Sequence, residues 1–226
     1  MAIKPCITIC MPQVSLTQLV DLARSGDHLI SFPTDTVPAL AVRPDRAGLI
    51  FAVKQRSQTK PLILMAADAA DLWPYVSGSE AERAIWQQVA ERYWPGALTL
   101  VLPASDRLPS AMNPTDPTTI GVRVPDSAIA RHILSLTQPL ATTSVNRSGE
   151  PPLQTMTEIN AQFPEVFTLL PTEIDRLKST AAGTSKTTPS EPARPSGSGV
   201  PSTVAKWMGN GWQIVRQGSI RLDDTH

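Results

Sequence analysis

Proline sets the scale of what this chain can fold into. Its 226 residues include 22 prolines, close to twice the usual share of about 5%. Many stand at the edges of apolar runs: Pro33, Pro61, Pro95, Pro125, Pro139 and Pro201. A proline fixes its own φ and biases the residue before it toward extended backbone. The pattern therefore predicts stiff loops joining short elements, not long helices. Hydrophobic residues make up 41% of the chain, enough for a sizeable core and against wholesale disorder. The apolar runs are too short for a membrane-spanning helix, and the start, MAIKPCITICMPQ, is a poor signal peptide.

Helical spacing is predicted over residues 14–24, through Leu16, Leu19, Val20 and Ala23, with Ser15 as N-cap and Gly26 ending it. Further helices are expected over 45–53 (Leu49, Ile50 and Val53 inward), 67–75, 79–93 and 127–135. Strands are expected over 28–32, 61–66, 98–102, 119–124, 140–143 and 165–170. Residues 202–207 and 212–216 flank Gly209-Asn210-Gly211, a hairpin signal. Strands alternating with helices and then a hairpin imply one α/β (or α+β) layered domain over 1–226 with a mixed sheet. Residues 178–199 hold no large apolar side chain. They read as a flexible low-complexity insertion, or as a flap over a site because Ser202 and Thr203 follow it.

Charge excludes some functions. Twenty Lys and Arg balance twenty Asp and Glu, so no global basic field holds this chain on nucleic acid; a local cluster stays open. Cys6 and Cys10, with His28, His132 and His226 scattered, make a poor metal set. A reducing cytoplasm is the natural compartment. Walker, dinucleotide-fingerprint, zincin and nucleophile-elbow motifs are absent.

Four polar clusters interrupt the apolar pattern. Thr34-Asp35-Thr36 leaves a strand end and suits a small polar ligand, or an Asx-type turn. Lys54, Arg56 and Lys60 gather within seven residues and suit phosphates, or a solvated helix end. Arg123 sits in an apolar strand and needs an anion, either a ligand carboxylate or a structural Asp or Glu. Thr142, Thr143, Ser144 and Asn146 follow a short strand, where ligands collect in open α/β sheets.

Together with PTDTV (33–37), KQRSQTKPL (54–62), WPGALTLVL (94–102), GVRVP (121–125), PLATTSVNRSG (139–149), GVPSTV (199–204) and IVRQG (214–218), the chain resembles the YrdC-like threonylcarbamoyl-AMP synthase family, in its short single-domain branch. The resemblance implies a twisted mixed parallel and antiparallel sheet flanked by helices, with a large concave cavity. It implies condensation of L-threonine, bicarbonate and ATP to threonylcarbamoyl-AMP and pyrophosphate, with Mg2+, for the t6A37 modification of tRNA. A downstream threonylcarbamoyl transferase would act on the tRNA. By position it implies Lys54, Arg56 and Arg123 as catalytic cations. Thr34, Arg123, Thr142 and Ser202 would meet threonine. Lys54, Arg56, Lys60, Thr119, Ser144, Asn146 and Arg216 would meet ATP. No protein ligand for the metal is implied. The alternatives are an RNA-binding or ribosome-associated module on this fold, with weak RNA binding, or a relative with another carbamoyl or acyl acceptor.

The chain also departs from the family pattern. Pro38-Ala39 stands where the family has Tyr-Gly, losing an aromatic wall and a position that tolerates positive φ. Val145 replaces Ala, and Ala205-Lys206 stands for Val-Asp.

Overall fold

A computed structural model describes residues 12–181 and 197–222. Cys6, Cys10 and His226 lie outside them. Among the described residues, ten strands form one mixed sheet: β1 (Gln13–Val14), β2 (Ile30–Phe32), β3 (Ala39–Val42), β4 (Ile63–Met65), β5 (Leu98–Pro103), β6 (Thr119–Arg123), β7 (Leu140–Ser144), β8 (Phe167–Leu169), β9 (Thr203–Trp207) and β10 (Trp212–Arg216). Their order is β1-β8-β2-β3-β7-β4-β6-β5-β9-β10. β4 runs parallel to β6, and β5 parallel to β9, while β3 and β4 both run antiparallel to β7.

Among the described residues, six helices cover the sheet: α1 (Leu16–Ser25), α2 (Gly48–Lys54), α3 (Glu80–Tyr93), α4 (Ala128–Thr137), α5 (Met156–Gln162) and α6 (Pro171–Ala181). α1, α3 and α5 each begin with a capping box, at Ser15, Ser79 and Thr155. Gly26 closes α1 at φ 78°, a left-handed position that glycine takes without strain.

Side chains alternate across the strands, and the two faces bury separate cores. Leu40, Leu64 and Ala141 join α2, α3 and α5 through Ile50, Phe51, Trp86, Val89, Met156 and Ile159. Ala39, Ala41, Met65 and Leu140 join α1, α4 and α6 through Leu19, Val20, Ile129, Ile133 and Leu177.

Most predicted elements form, within a residue or two. Residues 45–53 split into a 3-10 turn (Pro44–Arg46) and α2. The inward face of α2 is Ile50, Phe51 and Lys54, with Leu49 and Val53 only half-buried. The helix expected over 67–75 is two 3-10 turns, Ala69–Asp71 and Trp73–Tyr75, because Pro74 denies a long helix its amide. α5, α6, β1 and β3 are additions to the sequence reading. Of the insertion expected over 178–199, Lys178 to Ala181 instead form the end of α6, and Ser198 and Gly199 donate backbone hydrogen bonds to Asp35 O and Thr36 O. Residues 182–196 lie outside the described residues.

Candidate active site

The α1–α4–α6 layer covers only part of its face. Beyond it, the central strands turn directly paired residues toward an open volume: Ile63 beside Thr142 and Gly121, Met65 beside Arg123, Ala39 beside Ser144, Val101 beside Gly121, and Thr99 beside Val204. These residues floor a cavity of about 200 Å³. Thr34, Thr36, Val37 and Pro38 wall one side, Arg56, Pro61 and Leu62 another, and Pro201, Ser202 and Arg216 a third.

Arg123 is the buried charge of the site. Its Nε donates to Gly96 O at 3.0 Å, Nη1 to Thr36 Oγ1 at 2.9 Å, and Nη2 to Asp35 Oδ1 at 2.7 Å. The Arg123 and Asp35 side chains are 4% and 14% exposed. Burial pushes the guanidinium pKa down, and Asp35 pulls it back up. The sequence left two partners open for Arg123, and Asp35 is the structural one. Two guanidinium N–H groups remain beyond these three bonds.

Thr34 is a turn-former. Its hydroxyl donates to Val37 O at 2.7 Å and accepts from Thr36 N at 3.1 Å. That local ring closes the strand exit on itself, as Ser and Thr do in such turns. Ala39 lies in β3, paired with Phe32 and Ser144, and its φ is negative. The expected penalty for losing a positive-φ glycine therefore does not arise. Pro38 stays buried on the cavity wall, and its carbonyl accepts from Val145 N at 3.2 Å.

The far side is cationic, and among the described residues neither Arg56 nor Arg216 has a salt-bridge partner. Arg56 donates from Nε to Lys60 O at 3.0 Å and from Nη2 to Pro61 O at 3.1 Å. Arg216 donates to Ser202 O from Nε and Nη2, at 3.0 and 2.8 Å, and to Ser202 Oγ at 3.2 Å. Ser202 Oγ also pairs with Thr99 Oγ1 at 2.9 Å. Burial first, then the nearby Arg216 charge, lowers the Arg56 pKa. Both arginines spend their fixed bonds on neutral oxygens, so their charge is left for an anion in the cavity.

Lys54 lies one layer behind Ser144. Its Nζ donates to Ser144 O and, at 3.1 Å, to Asn146 Oδ1. Ser144 Oγ donates to the same Asn146 oxygen at 2.7 Å, while Asn146 Nδ2 donates to the Arg147 and Glu150 carbonyls. Burial, then the Arg56 and Lys60 charges, pushes the Lys54 pKa down to about 7.

Of the residues named from the sequence, Thr34, Arg56, Arg123, Thr142, Ser144, Ser202 and Arg216 line the cavity. The Thr142 hydroxyl is spent on Ile63 O at 3.0 Å. Four others are not brought to the cavity surface. Lys54 and Asn146 support Ser144 from behind, and Lys60 is exposed, holding Arg56 through its carbonyl. Thr119 pairs with Pro103 at the strand start, and its hydroxyl donates to Asp116 at 3.3 Å. Thr36 and Thr143, read from the sequence as members of the 34–36 and 142–146 clusters without a role of their own, also line the cavity. So does Thr99, which shows in sequence only as a polar residue inside the apolar run 98–102.

Magnesium finds no cage in these side chains. Among the described residues, no three of His, Cys, Asp and Glu gather to hold a metal. Asp35, the carboxylate bonded to the site, is committed to Arg123. Mg2+ commonly binds through substrate phosphates and water.

A family model matches residues 23–188: Sua5/YciO/YrdC, described as telomere recombination. The chain belongs to the Sua5/YciO/YrdC family. Among members of this family, a Vibrio cholerae protein named threonylcarbamoyl-AMP synthase is 37% identical over 153 residues, which is 66% of this chain and 80% of that protein. A Chromohalobacter salexigens protein of the same name is 35% identical over 147 residues, 63% of this chain and 77% of that one. P. abyssi Sua5 complexed with L-threonine superposes with a TM-score of 0.70 at 26% identity, covering 90% of this chain. The chain spans just over half of that protein, 54%. The mixed sheet with flanking helices expected from the sequence is thus the family fold. No helix among the described residues is long and apolar enough to cross a membrane.

Proposed function

We propose that this protein is a threonylcarbamoyl-AMP synthase, a nucleotidyltransferase that makes threonylcarbamoyl-AMP and pyrophosphate from L-threonine, bicarbonate and ATP. The observation that carries the reading is the charge layout of one cavity, with a buried, oriented arginine at one side and, at another, two arginines that have no salt-bridge partner among the described residues. The names of the relatives, and the threonine complex of P. abyssi Sua5, support it.

The threonine amine adds to the bicarbonate carbon with loss of water, giving a carbamate. A carbamate oxygen attacks the α-phosphorus, the bond to the β-phosphate breaks, and pyrophosphate leaves with the electron pair. Nucleophile and electrophile are both anionic, so the protein's task is to screen charge and align the groups. Arg123 takes the threonine carboxylate with its remaining N–H groups, between Thr34, Thr36, Thr142 and Ser202. Arg56 and Arg216 take phosphate oxygens. Lys54, through Ser144 and Asn146, holds the strand end against which the carbamate and ATP meet, and Lys60 and Thr119 lie on the outer path of the nucleotide. The cavity's 200 Å³ is below the roughly 300–1,000 Å³ of sites for drug-sized ligands. It suits the threonylcarbamoyl part, with the nucleotide extending out of the mouth along the cationic side. The product would pass, in the cytoplasm, to an enzyme that transfers the threonylcarbamoyl group to tRNA.

The test is pyrophosphate release by the purified protein with ATP, bicarbonate and threonine, against serine and no amino acid. Release that needs both threonine and bicarbonate is expected. Release indifferent to threonine would point to another acceptor, and no release from a folded protein would sink the reading.

A further inference from the structure

Gly197, Ser198 and Gly199 lie across the 34–36 loop. Ser198 N donates to Asp35 O at 3.0 Å, and Gly199 N to Thr36 O at 2.9 Å. A Cβ on Gly197 would fall 2.6 Å from the Thr34 carbonyl oxygen and nearer still to that of Thr36. Glycine is needed there for room. The same two loop residues are held from the other side by Arg123, which bonds the Asp35 carboxylate and the Thr36 hydroxyl. Asp35 does not line the cavity. Whatever it does for a ligand, it does through Arg123.

We propose that Asp35 and Gly197 are positioning residues for Arg123. The 197–199 strap clamps the Asp35 and Thr36 backbone, and their side chains then aim the guanidinium at the cavity. Asp35 also supplies the counter-charge that lets a buried cation stand ready before any ligand arrives. The inference deepens the proposed function, since it rests on Arg123 holding the threonine carboxylate. A side chain at 197 displaces the loop, and neutralising Asp35 frees the guanidinium to turn. Both disturb one geometry, so their effects should not multiply.

The experiment is steady-state pyrophosphate release by Gly197→Ala, Asp35→Asn and the double variant, with threonine and ATP varied in turn. Gly78→Ala serves as a purely structural comparison, because its Cβ would press on the Trp86 ring, away from the cavity. Each single variant is expected to raise the threonine KM tenfold or more and the ATP KM less than threefold. The double variant should be no worse than the poorer single one. Gly78→Ala should lower the melting temperature without moving the threonine KM. Equal rises in both KM values, or effects that multiply, would overturn the proposal. Should Gly197→Ala not fold, the isosteric Asp35→Asn decides by the same KM split. A second readout separates this proposal from the function it rests on. In the ligand-free protein, exchange of the Arg123 Nε proton with water should quicken at least tenfold in Asp35→Asn. Unchanged exchange would overturn the positioning role, whatever the enzyme's substrate.

Discussion

On one side of the cavity Arg123 is sealed under Asp35, Thr36 and Gly96, and the ion pair is nearly buried. On another, among the described residues, Arg56 and Arg216 reach only carbonyl and hydroxyl oxygens. The difference lies in what each would lose without a ligand. A buried arginine without a carboxylate would be an uncompensated charge in a low-dielectric interior, so the protein supplies one. Half-buried and exposed arginines keep some water, so their counter-ion can be left out and the incoming ligand can take its place. The first arrangement gives direction; the second gives net positive potential.

The strongest way to break this contrast is at the sealed side. Arg123→Ala should lower threonine-dependent turnover by an amount worth about 2–5 kcal/mol, part of it the cost of leaving Asp35 unpaired. It should also lower the unfolding free energy in denaturant titrations. Removing the carboxylate as well, in Arg123→Ala/Asp35→Ala, should regain stability without regaining turnover. A double variant less stable than Arg123→Ala would mean that Asp35 is not an orphaned charge.

At the cationic side, Arg56→Gln should weaken ATP by roughly 1.5–3 kcal/mol, the scale of a charged hydrogen bond, with threonine affinity changed much less. Calorimetric titration of each ligand checks this, using an unreactive ATP analogue. Losses of the same size for both ligands would erase the division of labour between the two sides.

Lys54 sharpens the comparison through pH. Its folded pKa, about 7, lies below the ordinary lysine value of 10.5. Its burial cost is full below about pH 7 and is relieved as pH rises from there toward 10.5. In that window the unfolded chain binds the extra proton, so stability gains up to about 1.4 kcal/mol per pH unit from this group. Lys54→Met should flatten the rise between pH 7 and 10 in unfolding measurements. An unchanged slope would show that Lys54 titrates as an ordinary surface amine.

The smallest effect is expected on the wall between the two sides. Ala39 has ordinary strand geometry, so Ala39→Gly should bring no gain in threonine affinity. It should cost roughly 0.5–1 kcal/mol of stability from backbone entropy. Tighter threonine binding would revive a conformational demand at this position.

The local elements were legible because their causes are local. Ser15 with Gln18 and Ser79 with Glu82 announce helix starts within four residues, and Gly209 to Gly211 announces the final hairpin. Thr155 with Glu158 made the same signal for α5 and was overlooked, because a two-turn helix shows little periodicity. The site was legible as a set of polar interruptions, yet only seven of its eleven named residues face the cavity. Lys54, Lys60, Thr119 and Asn146 carry the right chemistry in the right motifs, and the sequence holds no sign of which layer each would occupy.

What the sequence alone determined is the list of elements and the chemistry each strand end carries, since caps, prolines and alternation act over a few residues. The tertiary structure decided the pairings. Asp35, in the loop between β2 and β3, and Arg123, at the end of β6, stand 88 positions apart with β7 and β4 between their strands; Thr99 and Ser202 are 103 apart and meet because β9 lies beside β5. Strand order follows from how ten short strands bury two faces at once, a sum over the whole chain that no local window contains. That order makes Arg123 a paired charge and, among the described residues, leaves Arg56 and Arg216 without a salt-bridge partner.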